Sequence, residues 1–318
     1  MIPIMLGVLF IVFTISYLTP GDPVMMILGQ NYTPEAYAAT AAEFGLDKPF
    51  LVQFFNYLKG IVTELNLGKS FLENMPVADE ILYRLPITIR IGLLGVLLTV
   101  AVGIPIGLVS ALKQYSAIDY AATTLALLCA AIPSFCVALF SILLFAVNLK
   151  WLPITGISNW KSWILPVLAN SLSGVAVVMR MSRTSVLEVV RMDYVRTARA
   201  KGIKESTIIR RHILKNSLIP IITVVGVQMT LIMSGSVLVE TIFAIPGIGS
   251  YLMKGIIGRD YMIVNGCVLV LSISICVMNL LTDLAYAFVD PRIKAQYKSG
   301  KKRRKIAIYE TESEAEAT

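Results

Sequence analysis

Residues 192–220 read MDYVRTARAKGIKESTIIRRHILKNSLIP. The run is basic and helix-prone, has a single glycine, Gly202, at its centre, and is flanked by apolar stretches long enough to cross a bilayer. It must therefore lie outside the membrane, and connections between membrane helices are usually shorter. Two readings of such a segment stand side by side. It is a solvated basic face resting on lipid headgroups, or it is a handle by which a cytoplasmic partner moves the membrane part.

The rest of the chain agrees with a membrane setting. Of 318 residues, 56% are hydrophobic and 15% charged, too apolar for an ordinary soluble domain. The net charge of +8 does not point to nucleic acid, because the cations gather in two blocks, each beside an apolar span. Ten basic residues lie between Arg180 and Lys215, against Glu188, Asp193 and Glu205, which places this loop on the cytoplasmic side. The second block, from Arg292 to Lys305, precedes an acidic end, and the tail of residues 291–318 is expected to be partly disordered and cytoplasmic.

Taken in order, residues 1–18 form a first apolar span. Residues 19–86 are polar and mildly acidic and read as an extracytoplasmic cap. Within it, Thr33-Pro34-Glu35 starts a short helix that Gly45 ends, and residues 49–65 carry Phe50, Phe54, Tyr57, Leu58 and Ile61 on one helical face. Gly68-Lys69-Ser70 imitates the end of a phosphate-binding loop, but Thr63 stands where another glycine is needed. Asn31-Tyr32-Thr33 is a formal glycosylation sequon.

The next spans are residues 87–112, with Gly92, Gly95, Gly103 and Gly107 suited to close helix approach, and residues 119–149, with Pro133 as an expected kink. An outer loop bearing Trp151, Trp160 and Trp163 leads to residues 164–181. Residues 219–245 follow, with Glu240 either structural or facing an aqueous path, then a turn at Pro246-Gly247-Ile248-Gly249, a polar outer segment over 250–260 and a last span over 261–289. The outcome is an all-α membrane protein of six transmembrane helices with both termini cytoplasmic. Residues 87–290 form its five-helix core and residues 182–218 its cytoplasmic loop.

Chemistry is sparse. His212 is the sole histidine, and Cys129, Cys136, Cys267 and Cys276 lie in apolar stretches without a CxxC pair. No HExxH, GxSxG or complete phosphate-binding loop occurs, so no catalytic, metal-binding or cofactor-binding residues are expected and any energy source belongs to another chain. The informative feature remains the loop. Leu187, Val190, Tyr194 and Thr197 recur at helical spacing and predict one packed face, Gly202 predicts a helix stop, and a second helix should start near Ser206.

The string Arg196-Thr197-Ala198-Arg199-Ala200-Lys201-Gly202 resembles the EAA loop of bacterial ABC importer permeases, with Arg196 and Thr197 in place of Glu and Ala, and Pro220 later than that pattern has its proline. Nearly the whole chain is similar to one branch of that family, the first permease subunit of dipeptide, oligopeptide and nickel importers. The likeness runs through Pro20-Gly21-Asp22-Pro23, Gly45-Leu46-Asp47-Lys48-Pro49, Leu67-Gly68-Lys69-Ser70, Arg84-Leu85-Pro86, Glu240-Thr241-Ile242-Phe243, Arg259-Asp260-Tyr261 and Asp290-Pro291-Arg292. The resemblance implies a type I ABC importer (MetI-like) permease fold in a bacterial plasma membrane. Its implied partners are a second homologous permease, two cytoplasmic ATPase subunits that bind ATP and Mg, an extracytoplasmic solute-binding protein and the lipid bilayer, with no nucleic acid. It implies that residues 196–202 are the ATPase-coupling loop, with Arg196, Arg199 and Lys201 supplying charge contacts and Ala198 and Ala200 allowing close seating. The solute would be a peptide or a related small solute such as a nickel chelate. The competing reading is an ion-coupled secondary transporter, which would need ionisable residues or broken helices near the midplane.

Overall fold

The computed structural model describes residues 2–29 and 32–289. Asn31, the Asp290-Pro291-Arg292 string and the tail fall outside them. Among the described residues the regular structure is helical apart from one isolated β-bridge, Lys69 with Pro76. Four helical stretches are long and apolar enough to cross a membrane: Val77–Leu112, Trp160–Val190, Glu205–Ser234 and Tyr261–Ala285. A bent pair supplies a fifth if it counts as one span, and helix α1 (Ile2–Leu18) is apolar but shorter.

The core is built on helix α5 (Val77–Leu112), which packs chiefly on α8 (Ile164–Val190). The glycine stripe anticipated in α5 makes that contact possible. A Cβ on Gly103 would come within 3.1 Å of the Val178 side chain, and one on Gly107 would collide with the Met179 carbonyl. The two backbones meet where side chains would hold them apart. Helices α11 (Lys215–Ile242) and α13 (Tyr261–Val289) pack beside this pair.

The expected kink at Pro133 is instead a break. Helix α6 (Ala117–Ala131) ends, Ile132 is extended at ψ 121° and helix α7 (Ser134–Ser141) restarts behind Pro133, the two axes diverging by 99°. The cause is local: proline brings no N–H and drives the preceding residue out of the helical region. A π-helical turn, Ile142–Asn148, closes the element.

Residues 19–76 form three short helices, α2 (Pro23–Leu28), α3 (Pro34–Glu43) and α4 (Phe50–Glu64). Thr33 caps α3 through the Ala36 N–H, and Gly45 takes φ +66° after its end, as the sequence predicts. Asp22 caps α2 and accepts the Tyr37 hydroxyl at 2.8 Å, a bond that pushes the phenol pKa up. On α4, Phe54 and Tyr57 are buried, and Phe50, Leu58 and Ile61 pack partly against the same cluster, which includes Leu9 and Phe13 of α1. Around Lys69 there is neither a preceding strand nor an immediate helix, so the phosphate-loop context is lacking.

This segment is tied to the far end of the chain. Ser70 Oγ donates to Asp260 Oδ2 at 2.7 Å, Arg259 Nη1 donates to the Pro20 carbonyl at 3.0 Å, and the Tyr261 hydroxyl donates to the Thr19 carbonyl at 3.3 Å. Three of the strings singled out in the sequence therefore converge on one place.

Candidate functional site

Helix α8 ends at Val190, Met192 is extended at ψ 145°, and helix α9 (Asp193–Ala200) begins anew. This break shifts the helical phase and corrects the expected face. Val195 and Ala198 are the buried residues of α9, whereas Tyr194 and Thr197 point outward. Leu187 and Val190 still pack against the cluster, which joins Val186 and Val189 of α8 to Val195, Ala198, Ile208, Ile213 and Ala111. A continuous helix would have kept the predicted stripe in register; the extended Met192 does not.

The stop at Gly202 has the geometry of a Schellman closure. The Gly202 N–H donates to the Arg199 carbonyl at 2.9 Å, the Ile203 N–H donates to the Ala198 carbonyl at 3.3 Å, and Gly202 takes φ +69°. Only glycine adopts that conformation at low cost. Helix α10 (Glu205–Ile208) follows one residue before the predicted Ser206 and leads through a π turn into α11. Across the knuckle, Arg199 makes a two-pronged pair with Glu205, Nε to Oε2 at 3.2 Å and Nη2 to Oε1 at 2.7 Å.

Of the sequence-predicted residues, Arg196, Thr197, Arg199, Ala200, Lys201 and Gly202 are exposed, and a Cβ on Gly202 would meet nothing within 4 Å. Ala198 is turned inward and packs within the chain. Arg196 has only a loose contact with Asp193 at 3.9 Å, while the guanidinium of Arg199 already has a carboxylate. The knuckle thus presents a glycine, a small alanine and the exposed cations Arg196 and Lys201 on a scaffold held from beneath by apolar packing.

A second polar centre escaped the sequence reading. Asp119 is buried at the start of α6 and accepts from both prongs of Arg183 on α8, from Ser110 of α5 and from the Tyr115 N–H. Its one local signal was Ser116, whose hydroxyl accepts the Asp119 N–H at 3.3 Å in the manner of a capping box. Arg183 lies 64 positions away in sequence, and no spacing pattern links the two.

Glu240, left open between a structural and an aqueous role, is fully buried at the end of α11. The Ser250 N–H donates to its Oε2 at 3.1 Å, and Gly247 and Gly249 lie so close to the carboxylate that a Cβ on either would clash with it. The adjoining turn is pinned to α5 where the Ile248 N–H donates to Thr88 Oγ1 at 2.8 Å. Glu240 braces a turn.

Comparison with known proteins gives the arrangement its context. Residues 1–92 match the N-terminal model of binding-protein-dependent transport system membrane components. The chain is 37% identical to the dipeptide transport system permease protein DppB of Alkalihalophilus pseudofirmus and 35% identical to DppB of Escherichia coli K12, in each case over 92% of this chain and 96% of the relative. It is 38% identical to a putative peptide transport system permease protein of Brucella abortus, again over 92% of this chain and 96% of the relative. Among solved structures, the inward-facing MetNI methionine ABC transporter has a chain that superposes with TM-score 0.57 at 15% identity, over 66% of this chain and 96% of that one, which is a likeness of fold. With residues 103–295 matching the model of the binding-protein-dependent transport system inner membrane component, the chain belongs to that family of multi-pass permeases.

Proposed function

We infer that the chain is the membrane-spanning permease subunit of an ATP-driven importer and that its solute is a peptide, the solute named for its dipeptide and peptide permease relatives. The observation that carries this reading is the exposed knuckle at Gly202: a preorganised turn with close-approach residues outermost and apolar packing beneath, built to be gripped. A face meant only for lipid headgroups needs cations but no such turn.

In this reading α9 seats in a groove of an ATPase subunit, with Arg196 and Lys201 contacting it directly and Ala200 and Gly202 permitting close approach. Arg199, paired with Glu205, holds the shape of the turn. A second permease, two ATPase subunits carrying ATP and Mg, and a solute-binding protein complete the assembly. Helix α1, the four long helices and the α6–α7 pair make six spans with both termini cytoplasmic, and the cap over residues 19–86 faces the solute-binding protein. ATP drives the cycle because the ATPase dimer binds it better when closed, and only such differential affinity shifts the permease between inward-open and outward-open states.

The test is uptake of a labelled dipeptide by the reconstituted complex. Uptake should stop when a non-hydrolysable nucleotide replaces ATP; uptake that continues and follows an ion gradient would instead establish the secondary-transporter reading.

A further inference from the structure

The buried carboxylate of Asp119, 2% exposed, takes four hydrogen bonds: from Arg183 Nε at 2.6 Å and Nη2 at 2.9 Å, from Ser110 Oγ at 2.5 Å and from the Tyr115 N–H at 2.9 Å. The donors belong to the last turns of α5, the turn into α6 and the half of α8 nearest α9, so one side chain ties three elements together. Beside it, Gly107 lets α5 meet the α8 backbone at the Met179 carbonyl and the Arg183 nitrogen, where a Cβ would clash. Just beyond Arg183, Val186 and Val189 begin the face of α8 that packs on Val195 and Ala198 of α9, and Ala111 of α5 joins the same cluster. Clasp and cluster adjoin, so the part of α8 that α9 packs on is the part that the clasp ties to α5 and α6.

We propose that the Asp119–Arg183 clasp is a positioning device that makes the ends of α5, α6 and α8 move as one body with α9, so that displacement of the knuckle reaches the spans undiminished. This rests on the reading of α9 as the ATPase-facing element. A solvent-exposed ion pair would yield under load. This one is two-pronged and buried at the carboxylate, and removing Arg183 leaves a buried charge without its counter-ion. Packed elements held in that way exchange between discrete arrangements and do not bend continuously. Without the clasp, motion of α9 would be absorbed at the extended Met192 joint.

The test uses the assembled complex in proteoliposomes, with Asp119→Asn and the milder Arg183→Lys. Both variants should insert and hydrolyse ATP, while dipeptide uptake per ATP falls at least about five-fold, the lower bound of a typical coupling. Spin labels at Lys113→Cys and Ser206→Cys, in a background lacking the native cysteines, give the readout that activity alone cannot. Their separation should be narrow and unchanged through the nucleotide cycle with the clasp intact, and broadened with either variant. A wild-type separation that changes with nucleotide would overturn the proposal, as would unchanged uptake per ATP with a narrow distribution in both variants. The failure of the coupling reading looks different: a Lys201→Cys variant would then form no crosslink to the ATPase, whatever the distance between the two labels.

Discussion

At the scale of single residues, Gly202 and Arg199 do different jobs that the sequence could not separate. Gly202 stands at φ +69° with open space around it, so a substitution there strains the backbone without a clash inside the chain. Gly202→Val should cost about 1–3 kcal/mol locally and block close approach from outside. The expected outcome is normal membrane insertion and retained ATPase activity, with uptake per ATP reduced about ten-fold or more, measured side by side in proteoliposomes. Arg199 and Glu205 form an exposed pair worth roughly 0.2–1 kcal/mol, so its value is shape. Arg199→Ala and Glu205→Ala should therefore impair uptake alike, and exchanging the two residues should restore part of it. A defect in Arg199→Ala alone would mean that its guanidinium touches the ATPase directly. Much of this site was legible: the exposed cations and the glycine stop follow from composition and spacing. Ala198 was misplaced because its burial depends on the phase of a helix that begins afresh at Asp193, and the Asp119–Arg183 clasp was invisible because only folding brings α6 and α8 together.

Elements were legible where one local rule was decisive. Thr33-Pro34 opened α3, and the aromatic face of α4 docked on α1 as its periodicity required. The α6–α7 element was not, because proline inside an apolar stretch permits either a bent helix or two helices, and the surrounding packing chooses. Here it chose a break of 99°. Pro133→Ala restores an N–H and frees Ile132 to become helical. Hydrogen exchange at residues 133–135 should then slow as the two helices fuse, and dipeptide uptake should fall because a straightened element no longer fits against α8. Unaltered exchange at these amides would mean that packing holds the break without proline.

Across the whole molecule, several of the strings that carry the family resemblance turn out to be fasteners. Asp260 is fully buried, holds Ser70 and the Leu72 N–H on one oxygen, and accepts the Ile263 N–H on the other at the start of α13. Asp260→Asn converts a charged acceptor into an amide that also presents donors, which should cost about 1–3 kcal/mol and expose the segment around Gly68. Limited proteolysis of the detergent-solubilised complex should cut there first, with α5 to α11 still protected. The multi-pass helical outline was readable from apolar lengths and the clustering of cations, whereas these fasteners, joining residues up to 242 positions apart, have no signature in local pattern.

That same separation sets an order of events during synthesis. Thr19, Pro20 and Ser70 leave the ribosome early, but the groups that hold them, on Arg259, Asp260 and Tyr261, are made only when most of the chain has already been inserted. The first helix and the short helices after it must wait, half-finished, while the helices between are made, and non-local contacts of this kind close late. A nascent chain halted before Arg259 should carry a protease-sensitive N-terminal third, and one released after Val289 a resistant one. The far end of the protein thereby completes its beginning: a chain that stops before Arg259 lacks the groups that hold Thr19, Pro20 and Ser70.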